Sequence, residues 1–86
     1  PSQGVLEIGP GLGALTREVA SKARTVLAVE IDPDLYAVLT EETLGEISNV
    51  SVLHSDFLAL DLDTLIPEAL GPGRHVVVAN IPYSVT

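Results

Sequence analysis

The stretch Glu7–Thr16, which reads EIGPGLGALT, decides the fold of this chain. The apolar pair Val5-Leu6 precedes it and a helical pattern follows, so it predicts a strand, a glycine loop and a helix that begins near Ala14. Glycines at alternate positions let the loop fold tightly and leave its backbone N–H groups open to a ligand. By its letters the loop also fits the dinucleotide fingerprint G-x-G-x-x-G/A. It therefore indicates a nucleotide-type cofactor without identifying it, and a strand-to-helix turn that binds nothing is the alternative.

Three further apolar runs predict strands at Thr25–Val29, Val50–Leu53 and Val76–Ala79. Such runs are expected for parallel strands that are covered on both faces. Helical patterns lie between them, so the chain alternates strand and helix. This alternation predicts an α/β fold with a partial parallel sheet in the order 3-2-1-4, flanked by helices that form right-handed crossovers.

Three helices are predicted between the strands. The second begins at Asp32-Pro33, a good N-cap followed by a good first helical residue, and ends at Gly45. The third is short and ends before Pro67, because proline interrupts helical hydrogen bonding. The first has apolar residues at spacings of three and four, which predict its buried face: Leu12, Leu15, Val19 and Ala23.

Composition excludes several classes of protein. No apolar run approaches the roughly 20 residues that span a bilayer. Cysteine is absent, which excludes disulfides and thiolate metal sites and fits the cytoplasm, and the isolated His54 and His75 predict no metal site. The net charge is −8, whereas a nucleic-acid-binding surface is basic, so this stretch alone cannot supply one.

A sheet of four parallel strands also leaves an apolar edge open. We therefore expect residues 1–86 to be a fragment of a longer domain.

Polar residues follow the carboxyl end of each predicted strand. In parallel α/β sheets this rim is where ligands bind, so we expect these side chains to converge although they are far apart in sequence. They are Glu7, Glu30, Asp56 and Asn80.

Three of these rim residues are acidic. A carboxylate at Glu30, about 20 residues past the glycine loop, can accept hydrogen bonds from both hydroxyls of a ribose. Asp56 and Phe57 suit an adenine ring, because the acid can accept from the exocyclic amine while the phenyl ring packs nearby. Glu7 is placed to orient the loop N–H groups or to meet a ligand ammonium group. The structural alternatives are a solvated acid at Glu30 and an N-cap at Asp56.

The tetrapeptide Asn80-Ile81-Pro82-Tyr83 follows the fourth strand. Asn80 supplies a carbonyl acceptor, and Pro82 biases Ile81 towards an extended geometry that can aim its carbonyl into the site. Tyr83 offers a flat face on which a base can stack. Together these groups form a receptor for an aromatic amine, and an ordinary strand-ending turn with a buried tyrosine is the alternative.

Four motifs, in order and at the usual spacing, resemble the rRNA adenine dimethyltransferases. They are Glu7–Thr16, Glu30-Ile31-Asp32, Ser55-Asp56 and Asn80–Tyr83, and the resemblance covers essentially the whole chain. The glycine loop looks more like that of the KsgA-type small-subunit enzymes than that of the macrolide-resistance branch. Ile81 departs from the commoner N-L-P-Y, and N-I-P-Y is familiar in the resistance branch. The resemblance implies a Rossmann-like class I methyltransferase fold and S-adenosylmethionine as cofactor.

The resemblance also implies roles for the motif residues. Asn80–Tyr83 form the catalytic group, in which Asn80 and the Ile81 carbonyl accept the two N–H bonds of the target amine. Tyr83 stacks on the flipped adenine. The residues implied to hold the cofactor are Glu7, Gly9, Gly11, Glu30, Ile31, Asp56, Phe57 and Asn80.

The function implied by the resemblance is N6,N6-dimethylation of adenines in small-subunit rRNA. We expect a cytoplasmic monomer without a membrane segment that acts on the pre-ribosomal small subunit during ribosome biogenesis. Its later strands and C-terminal helical domain are absent here, so we expect the fragment alone to be inactive. The alternatives are a macrolide-resistance-type large-subunit rRNA adenine methyltransferase, an NAD-binding oxidoreductase and a non-catalytic RNA-binding module. A dehydrogenase fingerprint calls for neither Asp56 nor Asn-x-Pro-Tyr.

Overall fold

The computed structural model describes residues 3–11, 13–43 and 46–79. They form a four-stranded sheet in the order β3-β2-β1-β4, and all three strand pairs are parallel. The predicted order is therefore confirmed, and the strand bounds differ from the predicted ones by one residue. The strands are β1 Gly4–Ile8, β2 Thr25–Glu30, β3 Val50–His54 and β4 His75–Ala79.

Among the described residues, three α-helices connect the strands: α1 Ala14–Ala20, α2 Pro33–Val38 and α3 Leu62–Leu70. The Asp32 side chain caps α2 by accepting hydrogen bonds from the N–H groups of Asp34 at 2.8 Å and Leu35 at 3.3 Å, as predicted. A π-helical turn continues α2 over Leu39–Thr43. The predicted helix end at Gly45 lies outside the described residues. Within the part of the chain that the structure describes, no helix has the length and apolar composition to cross a bilayer.

The core lies on both faces of the sheet, because successive strand residues point to opposite sides. On one face Leu6, Leu27 and Val29 pack with Leu70 of α3. On the other face Val5 and Val26 pack with Ala20 of α1. The fully apolar strands predicted from the sequence therefore serve two separate hydrophobic layers.

Two helix predictions are wrong in detail. The fully buried residues of α1 are Thr16 and Ala20, whereas Leu15 of the predicted face is 37% exposed. Val19 and Ala23 of that face are partly buried and pack against Val5 and Val26, as predicted, and Leu12 lies outside the described residues. Helix α3 does not end before Pro67 but continues to Leu70. Proline removes a single hydrogen bond from the ladder, and burial of Leu70 between the helix and the sheet offsets that loss.

Candidate functional site

A cleft of about 600 Å³ opens at the carboxyl ends of β1, β2 and β3. Its volume lies within the range of about 300–1,000 Å³ that is typical of small-molecule sites. Apolar side chains form most of its surface, and the acidic groups stand among them. The lining residues are Ile8, Gly9, Gly11, Val29, Glu30, Ile31, Leu35, Ser55, Asp56, Phe57 and Leu58.

The glycine loop forms the wall of the cleft next to β1. Gly9, Gly11 and Gly13 have φ angles of 70°, 62° and 86°, which side chains rarely tolerate. The loop is tied to the sheet, because the Gly9 N–H donates to the Val29 carbonyl at 2.9 Å. A Cβ added at Gly11 would meet no heavy atom within 4 Å. The backbone at Gly11 therefore faces open space in the cleft. The prediction that the loop N–H groups stay open to a ligand is wrong for these glycines, because the Gly11 N–H donates to a Glu30 carboxylate oxygen at 3.3 Å and the Gly13 N–H to the Pro10 carbonyl at 3.0 Å.

Glu30 connects the glycine loop to the end of β2. Its carboxylate is almost fully buried, with one oxygen accepting from the Gly11 N–H at 3.3 Å and the other from the Asp32 N–H at 3.1 Å. A carboxylate has about four acceptor positions, so two remain for a ligand. The alternative that Glu30 is a solvated acid is wrong, because the side chain is both buried and hydrogen-bonded.

Asp56 and Phe57 line the cleft beside β3. Asp56 is exposed, and its Oδ1 accepts from the Leu58 N–H at 3.0 Å, so it caps the short 3₁₀ turn Phe57–Ala59. Capping uses one acceptor position and leaves the others available. The Phe57 ring is half-buried and packs against the core layer that contains Leu6.

Glu7 lies below the loop and is not among the residues that line the cleft. Its side chain is fully buried, and the Thr16 hydroxyl donates to Oε1. Oε2 has no hydrogen-bond partner within the described residues. Burial raises the pKa of the Glu7 carboxyl, and the hydrogen bond from Thr16 lowers it in part. The carboxyl thus joins β1 to α1. It accepts from none of the loop N–H groups that the structure describes, so the predicted orientation of those groups by Glu7 is wrong, and its contact with a cofactor stays a prediction.

The structure brings most of the predicted cofactor residues to one cleft. These are Gly9, Gly11, Glu30, Ile31, Asp56 and Phe57. The predicted catalytic residues Asn80, Ile81, Pro82 and Tyr83 lie outside the described residues. No group of three or more metal-ligating side chains that could hold a metal ion occurs within the described ranges.

Sequence reasoning missed four apolar side chains of the cleft, which are Ile8, Val29, Leu35 and Leu58. Leu58 is 88% exposed and directly follows Asp56-Phe57, so its position next to two candidate residues was the available signal. Leu35 lies on α2, where an apolar residue ordinarily indicates the face of a helix that packs on the core.

Comparison with known proteins identifies the family. The model of the ribosomal RNA adenine dimethylase family matches residues 1–86. The chain belongs to this family. It is 53% identical over 83 residues to ribosomal RNA small subunit methyltransferase A of Alkaliphilus oremlandii. The matched region covers 95% of this chain and 28% of that protein. The chain is 48% identical over 91 residues to the protein of the same name from Moorella thermoacetica, with coverage of 100% and 31%.

Two solved structures of similar proteins have the same fold. The 23S rRNA methyltransferase ErmE superposes with a TM-score of 0.74 at 40% identity, over 96% of this chain and 30% of that one. A dimethyladenosine transferase from Plasmodium falciparum gives a TM-score of 0.69 at 30% identity, over 95% and 27%. The predicted Rossmann-like methyltransferase fold is therefore confirmed. The chain spans less than a third of the length of the relatives in either comparison.

Proposed function

We propose that the whole protein carrying this chain transfers methyl groups from S-adenosylmethionine to N6 of adenines in small-subunit rRNA. The observation that carries the proposal is the cleft, where Glu30, Asp56 and the glycine loop meet in a member of the dimethylase family. The relatives named ribosomal RNA small subunit methyltransferase A are 53% and 48% identical to this chain, whereas ErmE, which is named for 23S rRNA of the large subunit, is 40% identical. We therefore favour small-subunit rRNA as the substrate.

The residues of the cleft suit S-adenosylmethionine. Glu30 keeps acceptor positions for ribose hydroxyls while it holds the loop, and Asp56 keeps one oxygen for an exocyclic amine. Ile31 and Leu58 present exposed apolar surface that a purine ring would cover. The open space at Gly11 leaves room for the part of the cofactor that lies over the loop. When bound, S-adenosylmethionine supplies an electrophilic methyl group on a sulfonium.

The chain contributes chiefly by positioning. The lone pair of an adenine amine is delocalised into the ring, so the amine is a weak nucleophile. We propose that Asn80 and the Ile81 carbonyl accept its two N–H bonds and thereby turn the lone pair towards the methyl donor. Tyr83 stacks on the flipped base. Transfer between groups held in this way depends on orientation and needs no strong base.

The charge of the chain bears on the RNA partner. A net charge of −8 opposes binding to phosphates, which requires neutralisation by lysine and arginine. We therefore propose that the surface that binds rRNA belongs mostly to other parts of the whole protein. Acidic groups around the cleft suit a cationic sulfonium.

Methyl transfer by the whole protein tests this proposal. Purified small and large ribosomal subunits that lack the modification would be incubated with labelled S-adenosylmethionine, and the modified adenines mapped. We expect two methyl groups on N6 of small-subunit adenines. Asn80→Ala should lower the single-turnover rate by about a hundredfold, the effect of losing one preorganised charge-stabilising group.

A matched variant controls for folding. Asn49→Ala also removes an asparagine amide, but Asn49 donates to the Ala20 and Ala23 carbonyls at 2.8 and 3.2 Å, away from the cleft. Its transfer rate at saturating cofactor should match that of the parent. Modification of large-subunit RNA alone would refute the proposed substrate, and an Asn80→Ala variant with the parental rate would refute the proposed role of Asn80.

A further inference from the structure

Neighbouring residues at the end of β3 hold neighbouring carbonyls at the end of β2. The Ser55 N–H donates to the Glu30 carbonyl at 3.0 Å, and His54 Nε2 lies 3.2 Å from the Ile31 carbonyl oxygen. A carbonyl can only accept a hydrogen bond, so Nε2 of His54 carries the hydrogen in this contact. The side chain of His54 thus extends the pairing of β2 and β3 by one residue beyond the register pair of Glu30 and His54.

Tyr36 supports the imidazole of His54 from α2. The two rings stack with their centroids 5.3 Å apart and their planes inclined by 28°. Stacking of this kind contributes beyond simple burial and restricts the orientation of both rings. His54 is therefore held by a ring contact on one element while it donates to the backbone of another.

The residue held by this contact is an exposed apolar one. Ile31 is 60% exposed and lines the cleft, although a large aliphatic side chain gains from burial. Its backbone is fixed on both sides. The preceding peptide group is held at the Glu30 carbonyl by the Ser55 N–H. The following peptide group is held at the Ile31 carbonyl by His54 and at the Asp32 N–H by the Glu30 carboxylate, at 3.1 Å. A fixed backbone presents the Ile31 side chain at a constant place on the cleft wall.

We propose that His54 is a positioning residue of this cleft, which holds Ile31 where its side chain packs against the purine ring of the bound nucleoside. The inference rests on the proposed function, which supplies the purine. Neither His54 nor Tyr36 lines the cleft, so His54 acts through Ile31 and does not touch the ligand. Tyr36 contributes by orienting the imidazole.

Three variants of the whole protein separate the hydrogen bond from the ring. His54→Phe keeps a ring that can stack on Tyr36 but removes the donor, whereas His54→Gln keeps an N–H donor at a similar reach but removes the ring. His75→Ala is the matched control. His75 is also exposed, and its Nε2 lies 2.7 Å from the Gly71 carbonyl oxygen, at the amino end of β4 and away from the cleft.

The first readout is the Kd of S-adenosylmethionine by calorimetry, together with KM and kcat for methyl transfer. His54→Phe should weaken binding about fivefold, the factor that one ordinary hydrogen bond contributes, and raise KM without changing kcat by more than about twofold. His54→Gln should restore most of the affinity, and His75→Ala should bind as the parent does. Equal affinity in all variants, or an equal loss in His54→Phe and His75→Ala, would overturn the proposal.

The second readout needs no cofactor. Hydrogen exchange at the Asp32 amide should become faster in His54→Phe than in the parent and stay unchanged in His75→Ala. Unchanged exchange in His54→Phe would overturn the positioning role even if the protein binds S-adenosylmethionine. The two readouts can also separate this inference from the proposed function. If the parent binds no S-adenosylmethionine but exchange at Asp32 is still faster in His54→Phe alone, the proposed function and the purine contact are refuted, while the positioning of Ile31 by His54 is supported.

Discussion

Thr16→Val removes the one hydrogen-bond donor that the described residues offer to the buried Glu7 carboxyl. Valine has nearly the volume of threonine, so packing beneath the glycine loop is kept and the hydroxyl alone is lost. A buried polar group left without its partner costs about 1–3 kcal/mol of unfolding free energy. Both residues are fully buried, which favours the upper part of that range.

The loss should depend on pH in a defined direction. Burial raises the pKa of Glu7 and the Thr16 bond lowers it, so Thr16→Val should raise that pKa further. Between the pKa of Glu7 in the unfolded chain and its higher pKa in the folded chain, the folded state retains a proton that the unfolded state has released. The free energy of unfolding therefore falls as pH rises through this interval. The fall should extend over a wider interval in Thr16→Val. The variant should therefore lose more stability relative to the parent at pH 8 than at pH 5.

Urea unfolding of the whole protein, followed by circular dichroism, measures the loss of unfolding free energy at pH 5 and at pH 8. Thr16→Ser, which keeps the hydroxyl and loses a methyl group, is the matched control and should show the same loss at both pH values. The reasoning is refuted if Thr16→Val is as stable as the parent. It is also refuted if its loss is the same at pH 5 and pH 8.

Two further substitutions test contacts that stabilise the fold away from the cleft. Gly4→Ala would place a Cβ 2.9 Å from the Leu70 Cβ, which is closer than two carbon atoms can pack, so β1 or α3 must shift. We expect the free energy of unfolding in urea to fall by about 1–3 kcal/mol. A parental midpoint would show that α3 moves away freely. Asn49→Ala removes donors to the Ala20 and Ala23 carbonyls, and we expect a loss of about 1–3 kcal/mol with unchanged affinity for S-adenosylmethionine, measured by unfolding and calorimetry. Weaker cofactor binding would contradict the separation of this contact from the cleft.

The sheet and its rim could be predicted from sequence because their signals are local. Apolar runs mark the strands, and the alternation with helices predicts that the strands run parallel. Glu30 and Asp56 then fall at one rim, since the carboxyl ends of parallel strands lie at the same edge. The structure confirms this convergence in the lining of the cleft.

Other features depended on contacts between distant residues. Thr16 is buried because it meets Glu7, whereas the helical pattern alone favoured Leu15 as a core residue. His54 was interpreted as an isolated histidine, and only the pairing of β3 with β2 brings it to the Ile31 carbonyl. Such pairings leave no periodic signal in a single sequence, so they emerge only with the folded chain.

Calorimetric titration of the whole protein with S-adenosylmethionine and with NAD tests most directly whether the cleft at Glu30 holds the methyl donor. Glu30→Ala removes acceptors for the ribose and should weaken binding of S-adenosylmethionine by about 1.5–3 kcal/mol, roughly 10- to 150-fold. Glu68→Ala removes the same charge from an exposed position of α3 and should bind as the parent does. We expect the parent to bind S-adenosylmethionine and not NAD. Binding of NAD in its place, or equal affinity of Glu30→Ala and the parent, would contradict the account.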